Sequence, residues 1–160
     1  SGIIAPVQLR RRRKEKASMQ RINRASWRII ETILLRYPQR KKEYEEYISD
    51  IMASSAGGSS RPSDPAKERD KAQSVTEAKA LKMTSVYHER IKKEIEAVEF
   101  VYNSLRPEEQ KVIRIRYWSK GLRAPIPYLK IGGASYSERQ MKRIVFKTIE
   151  QIGRYIGELK

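Results

Sequence analysis

The chain has no cysteine and a single histidine, His88. Disulfides, cysteine-liganded zinc, thiol catalysis and multi-histidine metal sites are thereby excluded, and no cofactor or metal is expected. No run of about 20 apolar residues occurs, so no segment is expected to cross a bilayer. These absences suit an intracellular protein. Ser1-Gly2, with no methionine, is expected to be the remnant of a removed tag and is set aside. Acidic residues are scarce at both ends. Residues 1–40 hold eleven Lys and Arg against two Asp and Glu, residues 106–160 thirteen against five, and residues 41–105 eleven against twelve. The net charge of +16 therefore divides into +9 and +8 at the ends and −1 in the middle. Solubility needs no such asymmetry, whereas a polyanion gripped by both ends does. A membrane surface is the weaker partner, since no segment pairs a continuous apolar face with a basic one near the interface.

The regular elements that can be read are all helices, within a length of 160 residues that suits one compact domain or two very small ones. Residues 1–20 form a basic arm around Arg10, Arg11, Arg12, Arg13 and Lys14. Like charges so closely spaced keep a segment extended, and phosphate binding with counterion release would order it. Residues 21–53 carry two helices, about 22–37 and 38–52, expected as a hairpin. In the first, Ile22, Ser26, Ile29, Ile33 and Tyr37 recur every three or four residues. Pro38 is expected to end it and open the second, whose apolar side is Tyr44, Tyr47, Ile48 and Ile51. Glu43, Glu46 and Asp50 share a face there, but Lys41 and Lys42 in i,i+4 reach make it an ion-paired face, not a metal site. Residues 54–65, rich in Gly, Ser and Pro, are a flexible linker lacking the lysine of a phosphate-binding loop. Residues 66–104 contain neither glycine nor proline and form a long central helix, with Ser63 or Asp64 as its cap. Along it Leu81, Thr84, His88, Ile91, Ile95, Val98, Tyr102 and Leu105 fall at a and d places for about three and a half heptads. That stripe fits a dimer seam or packing against the chain's own first helices. His88 within it is expected to be a hydrogen-bonded structural residue.

Residues 105–160 read as a helix-turn-helix. Pro107, Glu108 and Glu109 suit a helix start, and Val112, Ile113, Ile115, Tyr117 and Trp118 give it a core face. Gly121 allows a left-handed turn. Pro127 restricts the next helix to a short one, and Gly132-Gly133-Ala134 is its turn. Ser137 can cap the amide of Gln140, whose side chain can return the bond. After it Met141, Val145, Thr148, Ile152, Tyr155 and Leu159 line one side of a helix. Tyr136, Gln140, Arg143 and Lys147 line the other, joined by Arg139 and Lys142. That basic side suits a DNA major groove, where arginine pairs with guanine and glutamine with adenine. Arg139, Gln140 and Arg143 are the expected base readers. Lys142, Lys147 and the arginines of the arm would hold phosphates, which position a protein without specifying sequence. An enzyme is not expected. Nucleic-acid cleavage needs clustered carboxylates or a nucleophile beside a base, and neither Tyr117 nor Tyr136 has the Arg/His/Arg company of a recombinase tyrosine.

These residues also carry a resemblance. Leu105-Arg106-Pro107-Glu108-Glu109-Gln110-Lys111-Val112-Ile113-Arg114-Ile115-Arg116-Tyr117 resembles the opening of the promoter-reading region four of bacterial sigma factors. The layout of residues 33–159 is closer to the RinA/ArpU family of phage late transcriptional regulators. Shared with it are Arg36-Tyr37-Pro38 ahead of a Lys/Glu/Tyr-rich helix and a mid-chain linker before a long helix. So is the ending Ile152-Gly153-Arg154-Tyr155-Ile156-Gly157-Glu158-Leu159. The resemblance implies a phage or prophage activator of late genes, acting on double-stranded DNA in the bacterial host cytoplasm at the nucleoid. It implies the recognition-helix role for Ser137, Arg139, Gln140, Lys142, Arg143 and Lys147. A homodimer on adjacent half-sites is expected, with host RNA polymerase as a further candidate partner. The alternative is a small terminase subunit, also basic and helical, which recognises packaging DNA as a ring. Such subunits usually place the DNA reader at the N-terminus, whereas the better reader here is C-terminal.

Overall fold

The computed structural model describes residues 22–56 and 70–160. Every regular element among them is helical: α1 (Arg24–Ala56), α2 (Asp70–Ser104), α3 (Pro107–Trp118), a 3-10 turn (Tyr128–Lys130) and α4 (Glu138–Ile156). The chain is all-α, as its periodicity predicts. The arm with Arg10, Arg11, Arg12 and Arg13, most of the expected linker, and the expected caps Ser63 and Asp64 lie outside the described residues.

One expectation is corrected in α1. Asn23 starts the helix, its side-chain oxygen accepting the amide of Ala25 at 2.6 Å. The helix then runs through Pro38 instead of breaking into two. Proline has no amide to give the carbonyl four residues back, which here is Leu34. That carbonyl is not orphaned, because the indole Nε1 of Trp118 donates to it at 2.8 Å. A tertiary donor thus replaces the missing helical one. The helix also continues over residues 54–56, read as linker from composition. The Ser54 hydroxyl donates to the Asp50 carbonyl at 2.7 Å, so it turns back on the helix instead of leaving it.

The described residues fall into two units, one with the chain up to Arg36 and Ala97–Lys160, the other within Tyr37–Glu96. In the second, Ile91 and Ile95 are buried. His88 stacks on Tyr47 with ring centroids 3.4 Å apart, and its Nδ1 lies 2.6 Å from the Thr84 carbonyl. Arg40 donates to the Tyr87 hydroxyl, and Lys42 pairs with Glu46 on the solvated face. Leu81, at the start of the heptad stripe, is 70% exposed.

The first unit holds the larger core: Ile30 and Leu34 of α1, Val98 and Val101 of α2, Val112, Ile113 and Tyr117 of α3, and Val145, Ile149 and Ile152 of α4. Each such aliphatic side chain contributes about 1.5–3 kcal/mol through the water it sheds. Gly153 marks a close approach. A Cβ there would lie 2.5 Å from Ile30 Cδ1 and 2.7 Å from Leu159 Cδ1, so glycine lets α1 and the chain end close over α4. The Ser26 hydroxyl donates to Glu158 across the same junction.

Candidate nucleic-acid interface

The start of α4 is built as its sequence predicts. Ser137 is the N-cap, its Oγ accepting the Gln140 amide at 3.3 Å, while Gln140 Oε1 accepts the Ser137 amide at 2.8 Å. Met141, Ile144, Val145, Thr148, Ile149 and Ile152 are buried, and the Thr148 hydroxyl is satisfied by the Ile144 carbonyl. Ser137, Arg139, Gln140, Lys142, Arg143 and Lys147 are all exposed, and Tyr136 is half-buried. At 100° per residue Arg139, Arg143 and Lys147 span about 80° of the helix circumference, one solvent face opposite the core. No described residue forms an ion pair with any of these three.

Three members of the expected set are engaged, Ser137 as the cap already described, and Lys142 and Gln140 besides. Lys142 pairs with Glu138 at 2.7 Å, and its Nζ lies 5.7 Å from the Tyr128 ring centroid. Gln140 has its amide oxygen committed to the cap, which leaves its NH2 group for an outside partner. A two-point pairing with adenine would need both ends of that amide. Tyr155, expected on the core side, is 41% exposed, its ring tilted against that of Phe100 with centroids 5.4 Å apart.

The short second helix is a single 3-10 turn, Tyr128–Lys130, within a stretch that is otherwise irregular from Ser119 to Ser137. Gly121 and Gly133 supply left-handed residues there, at φ +76° and +74°. Arg116 of α3 holds the stretch in place. Its guanidinium lies 3.9 Å from the Tyr128 ring centroid, and its Nη1 donates to the Ile126 carbonyl at 2.5 Å. The Ile126 amide returns to the Arg116 carbonyl at 2.9 Å. The Nε of Arg116 is buried with no hydrogen-bond partner among the described residues, so the ring below it carries part of the charge compensation.

Behind Arg116 stands Glu31, which sequence reading missed. Its carboxylate accepts from Tyr117 Oη at 2.9 Å and Trp27 Nε1 at 3.2 Å, with Arg116 Nη2 at 3.7 Å. Its signal was available: Glu31 is the single acid between Glu15 and Glu43, and it adjoins the core residue Ile30. Burial above all, then the charge of Glu31, pushes the Tyr117 hydroxyl above the usual phenol range. Burial likewise raises Tyr128. A phenol so held is a core donor, unsuited to nucleophilic attack.

Among the described residues no three His, Asp or Glu side chains gather as a metal site, and no helix is long and apolar enough to cross a membrane. Compared with the profiles of known protein families, with curated proteins and with solved structures, the chain matches none.

Proposed function

We propose that the chain is a sequence-specific DNA-binding transcriptional activator of phage late genes, acting as a homodimer in the bacterial host cytoplasm. The observation that carries this reading is the solvent face of α4. Arg139, Arg143 and Lys147 stand unpaired with any described residue on a helix whose other side is fixed by a buried core. A preset cationic helix face is what direct readout in a major groove requires. The excess of thirteen Lys and Arg over five Asp and Glu in residues 106–160 supplies the phosphate attraction. The resemblance to phage late regulators points the same way. The exposed start of the α2 stripe, at Leu81 and Thr84, is surface that a second copy would cover.

Selection from a random pool of duplexes should recover a defined site. On that site Arg143→Ala should lose about 1–3 kcal/mol at particular base pairs, while Lys147→Ala weakens all duplexes alike. A protein without preference among duplexes at physiological ionic strength would end this reading. An assembly of eight or more subunits would favour the terminase alternative.

A further inference from the structure

The stretch from Ser119 to Ser137 contains Lys120, Arg123 and Lys130 and no acidic residue. At its 3-10 turn sits Leu129, the most exposed large apolar side chain described, at 86%. A lone exposed leucine is ordinary on a protein surface, so exposure alone means little. What sets Leu129 apart is the way its turn is held. The preceding residue, Tyr128, is fixed by the Arg116 guanidinium 3.9 Å from its ring centroid. The amides of Lys130 and Ile131 close on the carbonyls of Pro127 and Tyr128 at 2.9 and 3.1 Å. Lys142 Nζ lies 5.7 Å from the same ring, and Lys142 is about 60° round α4 from Arg139. The turn therefore stands beside the basic face of α4.

We propose that Leu129 is a second base-reading side chain, seated against a thymine methyl in the groove that α4 enters, with Lys130 and Arg123 on the flanking phosphates. This rests on the DNA-binding reading above. The thymine C5 methyl is the one apolar feature that the major groove presents for direct readout. A turn fixed before binding loses little freedom when it seats. A protein surface is the other class of partner that would take an exposed leucine. The acid-free stretch and its place against α4 favour the duplex.

The full chain and a duplex from the random-pool selection provide the test. Thymines are replaced one at a time by deoxyuridine, which removes the methyl and keeps every hydrogen-bonding group. At one position the unmodified protein should bind about fourfold more weakly, the loss expected for one apolar carbon. Leu129→Ala should bind the parent duplex at least that much more weakly and be indifferent to uracil at that position. Its thermal midpoint should be unchanged, since Leu129 supports no core. Lys130→Ala should weaken parent and uracil duplexes equally and reduce the salt slope by about one. Wild-type affinity of Leu129→Ala for both duplexes would overturn the inference, and so would uracil sensitivity that persists in the variant. In either case selective binding, with its loss in Arg143→Ala, would leave the DNA reading standing. Indifference of the unmodified protein to every duplex would remove both.

Discussion

Glu31 joins α1 to α3 through two donors, the Tyr117 hydroxyl and, at longer range, the Arg116 guanidinium, while the Trp27 indole one turn back in α1 also donates to it. Its side chain is 22% exposed and that of Arg116 12%, so neither charge is fully solvated and each depends on the other. Glu31→Ala would leave a buried phenol without an acceptor and a buried guanidinium without its counter-charge, at about 1–3 kcal/mol. Tyr117→Phe removes the donor and leaves Glu31 with Trp27, Arg116 and water, so its cost should be lower, about 0.5–1.5 kcal/mol. Urea denaturation at neutral pH would show the order, and equal losses would contradict it. The two proteins should also differ in alkali. Tyr117 is held above the ordinary phenol value of about 10, so the folded state keeps a proton that the unfolded chain releases. That contribution is complete below pH about 10 and declines as pH rises beyond it, since the unfolded state then binds fewer protons. Between pH 9 and 11 the unmodified protein should lose stability faster than Tyr117→Phe. Parallel curves would show that the phenol contributes nothing to the alkaline decline.

At the scale of whole elements, α1 depends on a residue from another helix. An interior proline costs a helix about 3 kcal/mol, part of it the carbonyl left without a donor. In α1 that part is offset by the Trp118 indole on the Leu34 carbonyl. Trp118→Phe should therefore cost about 1–3 kcal/mol, the penalty for a polar group left unsatisfied. In a Pro38→Ala background it should cost less, because the new amide at position 38 can serve Leu34 instead. Additivity of the two changes within about 0.5 kcal/mol would show that the carbonyl is satisfied independently of Trp118. The same contact explains what the sequence left hidden. Local signals were legible: the proline and acids that open α3, the Ser137 and Gln140 pair that caps α4, and the apolar period that buries Met141 to Ile152. Long-range donors were not. Nothing near Pro38 announces a tryptophan 84 residues on from Leu34. Likewise the expected short helix is a single 3-10 turn at 128–130 held by Arg116 on Tyr128 and Ile126, a pairing that no periodicity encodes. At the candidate site the exposed set was readable from the wheel. The commitment of Gln140 to the cap and of Lys142 to Glu138 was not, since polar residues on one face compete for each other as readily as for a ligand.

For the molecule as a whole, charge is the property that the proposed function uses at both ends. Residues 106–160 carry a net +8 and residues 1–40 a net +9, around a middle close to neutral. The two ends should act differently on DNA. The basic face of α4 is mounted on a buried core, so on the proposed function its preset geometry would discriminate between sequences. Arg10, Arg11, Arg12 and Arg13 are four consecutive like charges, a density that suits phosphates of any sequence. Removing residues 10–13 should then weaken binding to selected and unrelated duplexes by the same factor and leave the preference between them intact. The dependence of log affinity on log salt should become shallower by about 0.9 for each phosphate the arm had neutralised. Titrations across a salt series on both duplexes separate the outcomes. A slope unchanged by the deletion would show that the arm does not touch DNA. A loss confined to the selected duplex would make the arm a reader of bases and remove the division of labour between the two ends.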